Sequence, residues 1–164
     1  MESIINNNSA GDSSGFIFAI AGAIIIGPVS LAIFLPVIPL IREEFSLSLQ
    51  AAQLSLSLPL LATIFAPYFI GRVVDRFGRR NLLVLAMLFT GLGCLITLVA
   101  TNYAILLAGR ILVGVFGSAC LLVARLVVAD VYTGAGLFRI TARFTMLPVV
   151  AIIATPVLAG LIID

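Results

Sequence analysis

In a chain that is 62% hydrophobic and 10% charged, the ionisable residues are few enough to weigh one at a time. There is no lysine, and of the nine arginines four fall in one short stretch. It reads Gly71-Arg72-Val73-Val74-Asp75-Arg76-Phe77-Gly78-Arg79-Arg80-Asn81-Leu82-Leu83. Two more, Arg110 and Arg125, stand inside a long apolar run that ends near Asp130. The chemistry open to such groups is electrostatic: ion pairs that form and break, or a charged contact for a ligand or a proton-carrying acid. With no histidine, an imidazole metal site, a Ser-His-Asp triad and a histidine proton relay are all excluded within the chain. No nucleophile–base pair or metal-ligand spacing is found, so neither an enzyme nor a cofactor is expected. Cys94 and Cys120 lie deep in apolar runs and read as small hydrophobes, not as a disulfide or metal pair. The net charge of +2 reflects a membrane bias and does not call for nucleic acid.

The elements that must position these residues are membrane helices. A mean hydropathy of +1.29 over 164 residues is more apolar surface than a soluble domain of this size can bury. A bilayer crossing takes roughly 20 apolar residues. The expected architecture is all-α and polytopic, with five transmembrane helices over about 16–41, 51–73, 81–100, 103–129 and 139–163, forming one bundle over 16–164. Residues 1–15 read as a polar, disordered tail without the basic start and cleavage site of a secretory signal. The arginine-rich turn is placed on the cytoplasmic side, and Arg139 and Arg143 at the start of the fifth span agree with it. The N-terminus is then cytoplasmic and the setting a cell (inner) membrane. Pro28, Pro36 and Pro39 interrupt the first span and Pro59 and Pro67 the second, as a helix tolerates where neighbours or a cavity satisfy the freed carbonyls. Arg42-Glu43-Glu44 reads as a short amphipathic exit. Gly91 and Gly93 permit close helix contact, and Thr133-Gly134-Ala135-Gly136 reads as a flexible link.

Spacing narrows the roles. Gly71 is expected to end the second span at a point of close approach. Asp75 lies four residues before Arg79 and can meet it across one turn. Gly78 lets the backbone reverse before the next helix, and Arg79 and Arg80 then reach the headgroup level. Arg110 lies roughly 10 Å in from the outer end of the fourth span. Arg125 is fifteen residues on, within about 60° of it around the axis, so one face can present both to one cavity. Gly114, Gly117 and Ser118 keep that side thin. Asp130 near Arg79 or Arg80 is the expected ion pair, with Asp75 completing a charge cluster that holds a closed state. The plainer alternatives are a solvated helix-end acid and a snorkelling Arg125.

The order Gly71-x-x-x-Asp75-Arg76-x-Gly78-Arg79-Arg80 resembles the signature loop between helices 2 and 3 of the major facilitator superfamily of secondary transporters. Arg110-x-x-x-Gly114-x-x-Gly117 resembles that family's helix 4 motif. Pro28 to Pro36 and Ala124 to Tyr132 resemble the drug–proton antiporter branch, near the bicyclomycin-resistance-type transporters. Ala32 and Ala129 stand where that branch has an acid and an arginine. Ala151 to Gly160 resembles the antiporter helix-packing motif, matching at Pro156 and Gly160. The resemblance implies two six-helix halves, each of two inverted three-helix repeats, of which this chain supplies an incomplete N-terminal half. Its partners would be the lipid bilayer, a small-molecule substrate, protons and the remaining transmembrane helices. The implied activity is proton-coupled efflux of small amphipathic drugs or metabolites by alternating access, gated by the signature loop. The chain alone is expected to be inactive, as a fragment or a truncated product. The alternatives are an anion or sugar transporter of the same superfamily and a non-transporting membrane interaction protein.

Overall fold

A computed structural model describes residues 14–163, as backbone alone at Ser14, Phe16, Asp75, Ala135 and 156–163. Residues 1–13 of the expected tail, and Asp164, lie outside the described residues. Six helices follow one another among the described residues: α1 Ser14–Ala32, α2 Ile38–Glu44, α3 Leu49–Phe77, α4 Arg79–Leu98, α5 Tyr103–Val131 and α6 Gly134–Ile163. Among the described residues four helices are long and apolar enough to cross a membrane, and the shorter apolar helix Ile17–Ala32 joins them.

The helix ends follow from local chemistry. Ser48 caps α3 by accepting from the Ala51 amide at 3.2 Å, and Asn102 caps α5 by accepting from the Ile105 amide at 2.9 Å. Inside the spans, hydroxyls bond the carbonyl one turn back, as Thr90 does to Ala86 and Thr97 to Gly93, both at 2.8 Å. A polar side chain thereby costs little in an apolar helix.

Three boundaries differ from those the sequence suggests. The first span does not run unbroken to residue 41. It leaves α geometry after Ala32, and α2 restarts at Ile38 with Pro39 in its first turn. Pro36 has no N–H and crowds the residue before it, so helix cannot pass through it undisturbed. The second span does not end at Gly71 or residue 73. The hydrogen-bond ladder carries α3 through Asp75 and Arg76 to Phe77, and only Gly78, at φ 78°, breaks it. Apolar length marks where the bilayer ends, not where the helix does. The presumed signature loop is thus the last turn of one helix, a single glycine and the first turn of the next. The link before α6 is also shorter than expected, since helix resumes at Gly134, whose φ is 58°.

Helix α5 is the centre of the bundle. It packs against α4, α3 and α1, while α6 lies mainly along α1. Each of its three main neighbours meets it on a glycine. A Cβ on Gly109 would come within 2.9 Å of the Gly93 carbonyl oxygen of α4. One on Gly114 would lie 2.5 Å from the Pro59 carbonyl oxygen of α3, and one on Gly117 2.9 Å from the Gly27 Cα of α1. Backbones touch at all three crossings, the contact that replaces hydrophobic collapse when helices associate in lipid. Of the two α4 glycines expected to make such contacts, Gly93 does so and Gly91 meets nothing within 4 Å. The outward surface is apolar, with Phe18, Leu98 and Phe138 between 77% and 83% exposed. A surface of that kind is stable only under lipid or further helices.

Contacts between helix ends set the alternation of the chain. The end of α1 meets the beginning of α5 through Arg110 and Ser30, and the Tyr103 hydroxyl of α5 donates to the Ala51 carbonyl at the beginning of α3. At the opposite end Arg79 of α4 meets Asp130 of α5.

Candidate functional site

A cavity of about 620 Å³ opens between α1, α3, α5 and α6. Its wall is built from Leu31 and Leu35 of α1 and the turn after it, Leu56 and Leu60 of α3, Leu121 of α5 and Ile152 of α6, with Gly114 and Gly117 at its thin side. Helix α4 contributes no lining residue. It stands behind α5 as scaffold, which is the role its apolar, glycine-containing sequence suggests.

Three side chains give the wall its polarity: Thr63, Ser118 and Arg125. The hydroxyls are already spent, Thr63 donating to the Leu60 carbonyl at 2.6 Å and Ser118 to the Val115 carbonyl at 2.8 Å. Arg125 is exposed and has no hydrogen-bond or ion-pair partner among the described residues. Among the described residues, then, the cavity is an apolar chamber with one free guanidinium. No carboxylate among the described residues lines it.

Arg110 does not join Arg125 there. The two lie on the same side of α5, but the turn after α1 covers Arg110. It is 3% exposed, its Nη1 donates to the Ser30 carbonyl at 2.9 Å, and the guanidinium carbon lies 3.7 Å from the centre of the Phe34 ring. Its Nε and Nη2 are buried without a partner among the described residues. Helical periodicity set the direction of the side chain. It could not show that the chain folds over it, because that depends on where α1 stops.

At the other end of α5, Arg79 pairs with Asp130 and its Nη1 also donates to the Leu126 carbonyl at 3.1 Å. The single-residue turn at Gly78 places Arg79 in the first turn of α4, pointing at the last turn of α5. There a cation also meets the negative end of the helix dipole. Both side chains keep 39% and 51% of their surface exposed, so solvent screens the pair. A double-mutant cycle of Arg79→Ala and Asp130→Ala, read by unfolding in detergent, is expected to give a coupling of no more than about 1 kcal/mol. A coupling several times larger would mean the pair is sealed from water.

The other residues of the signature stretch are dispersed. Arg72 donates through Nη2 to the Tyr68 hydroxyl at 3.1 Å and lies over that ring. Arg76 and Arg80 are exposed, and the Asp75 side chain lies outside the described residues. Gly71 sits within α3, exposed, with nothing within 4 Å of a Cβ there, so it makes no close approach among the described residues. Pro156 and Gly160 fall where backbone alone is described. Immediately before Pro156 on α6, Thr155 is buried and donates to the Ala151 carbonyl at 2.6 Å. Two participants escaped sequence reasoning, Phe34 and the Ser30 carbonyl. The available signal was Pro36, which marks helix trouble in the turn upstream of it.

The profile of the Major Facilitator Superfamily matches residues 14–164. The uncharacterized MFS-type transporter YdgK of Bacillus subtilis is 29% identical over 98% of this chain and 40% of its own length. The facilitated glucose transporter member 12 of solute carrier family 2 from Macaca fascicularis is 32% identical over 46% of this chain and 12% of its own. The probable efflux pump mfs2 of Aspergillus flavus is 27% identical over 78% of this chain and 30% of its own. The chain thus spans two-fifths or less of the length of these relatives. The profile match covers nearly all of it, on a bundle whose hub helix gathers its neighbours around an apolar chamber. The chain belongs to the major facilitator superfamily.

Proposed function

We propose that the chain forms one wall of an alternating-access exporter of small amphipathic molecules. The carrying observation is the chamber: leucine and isoleucine walls around a single unpaired guanidinium. An apolar body would lie along Leu31, Leu35, Leu56 and Leu60, with a hydrogen-bond-accepting end at Arg125. Likeness to the probable efflux pump of Aspergillus flavus supports outward transport. The ion pair of Arg79 with Asp130 acts as a latch that breaks when the helices rock. The latch faces the cytoplasm of a cell (inner) membrane, as the arginines of the α3–α4 turn favour. The driving ion is the proton. No carboxylate among the described residues lines the chamber, and the proton carrier is assigned to the further helices of a full-length transporter.

The test is energised export by the full-length gene product in everted vesicles. Acidifying the lumen should drive accumulation of an amphipathic fluorescent dye, and a protonophore should abolish it. Dye movement indifferent to the proton gradient would refute coupling, and no dye movement would refute the substrate class.

A second reading has one observation in its favour. A lone guanidinium without an acid also suits an anionic substrate. Uptake of labelled organic anions in the same vesicles, saturable and competed by unlabelled anion but not by dye, would favour it.

A further inference from the structure

The break in α1 begins earlier than its proline requires. The last bond of the ordinary i→i−4 ladder runs from the Ile33 amide to the Val29 carbonyl at 2.9 Å. The next in register would join the Phe34 amide to the Ser30 carbonyl. Instead the Phe34 amide reaches the Leu31 carbonyl at 3.4 Å, and the Leu35 amide reaches Ala32 at 3.3 Å. Pro36 accounts for the lost bond to the Ala32 carbonyl four residues before it and for crowding at Leu35. It neither removes the Phe34 N–H nor touches the Ser30 carbonyl. What occupies that carbonyl is Arg110 Nη1 at 2.9 Å, and what covers the same guanidinium is the Phe34 ring. One buried side chain therefore contacts both residues of the missing helical bond, Ser30 at its carbonyl and Phe34 at its ring. A cation at the carbonyl end of α1 is also favoured by the helix dipole.

We propose that Arg110 is a positioning residue for the chamber. By holding the Ser30 carbonyl it stops α1 at Ala32. It thereby fixes Leu31, Ala32 and Leu35, which line the chamber although Arg110 does not. The Ser30 carbonyl has two alternative donors, the Arg110 guanidinium and the Phe34 amide. When Arg110 holds it the helix is broken, and when Phe34 holds it α1 gains a further bond and the wall turns with it. The guanidinium edge formed by Nε and Nη2 is buried without an acceptor among the described residues, so Ser30 is the contact that keeps Arg110 in place.

Hydrogen exchange at the Phe34 amide, measured on the full-length gene product in nanodiscs, reads the competition directly. Arg110→Met removes the rival donor, and exchange at Phe34 is expected to slow at least about tenfold, the worth of a modest hydrogen bond. Arg110→Lys keeps a cationic donor and should stay near the parent rate. Should Arg110→Met fail to fold, Arg110→Gln serves, its shorter amide being unable to cover Phe34 and hold Ser30 as the guanidinium does; slowing is again expected. Phe34 exchange that is unchanged or faster in a folded Met or Gln variant overturns the proposal.

A second arm rests on the reading of the chamber as a substrate site. There Arg110→Met should raise KM for the exported dye about tenfold, with Arg110→Lys restoring most of it. A KM shift without slowed exchange at Phe34 would overturn the positioning role and leave the chamber reading intact. Slowed exchange without a KM shift would overturn the link to the chamber while the helix competition stands.

Discussion

Gly114→Ala is expected to be among the most destabilising single methyl additions this bundle can receive. The added Cβ would sit 2.5 Å from the Pro59 carbonyl oxygen and 3.1 Å from its carbonyl carbon and Cα. All three are backbone atoms of a neighbouring helix, so no rotamer change relieves the clash and α3 and α5 must move apart. Overpacking of this kind costs about 1–3 kcal/mol, and the upper end applies where only backbone can yield. Pro59 is fully buried, so the separation also opens contacts on its far side. Gly71→Ala is the matched control: it is a helical glycine with nothing within 4 Å, and it should leave stability unchanged or slightly raised. Thermal unfolding in detergent, followed by the monodisperse fraction on gel filtration, checks both. Equal behaviour of the two variants would mean that the α3–α5 crossing is not as close as described. A destabilised Gly71→Ala would mean that residue packs against something beyond this chain, which its position in the family's signature allows.

Arg125→Ala is expected to raise KM for a transported amphipathic molecule by about tenfold to a hundredfold. That range corresponds to losing one hydrogen bond to a charged group, about 1.5–3 kcal/mol. The size of the effect follows from what else is available. Thr63 and Ser118 have their protons committed to carbonyls of their own helices, and no other charged side chain among the described residues lines the chamber. Among the described residues a ligand's polar end therefore has one strong partner. Because Arg125 is unpaired, its removal strands no buried carboxylate, and the fold should be indifferent to it. Arg125→Lys should recover most of the affinity for an acceptor that needs only charge, and little for one held by a two-pronged guanidinium. The check is dye export kinetics in everted vesicles, with the unfolding midpoint as the control. Unaltered KM with normal folding would remove Arg125 from the substrate's path and leave the chamber binding by apolar contact alone.

The two intramembrane arginines illustrate how far sequence reasoning reaches. Their spacing puts them within about 60° on one side of a helix, and both do lie on the side that α1 approaches. Yet Arg125 lines the chamber and Arg110 is sealed above it, because a five-residue stretch between Ala32 and Ile38 folds across one and not the other. Arg79 and Asp130 tell the converse story. Fifty-one positions separate them in the chain, but two successive membrane crossings, one out and one back, return the chain to the same end, so their meeting could be read from the order of the spans. Gly71 was legible as a glycine and not as a contact, since what it faces is absent from this chain's described surroundings.

Continuous apolar runs of about 20 residues by themselves determined that the chain is helical and membrane-embedded, because a helix satisfies its own backbone polar groups in lipid and a barrel strand is shorter and alternates. The order of charged and small residues also determined which ends meet and which helix could tolerate close neighbours. Only the tertiary structure decided that Gly109, Gly114 and Gly117 each receive a different helix, that α3 runs on to Gly78, and that Ser30's carbonyl is taken by Arg110. Those outcomes depend on competition between partners distant in sequence for the same backbone atom or the same few ångströms of space. Periodicity along a single helix carries no record of who wins.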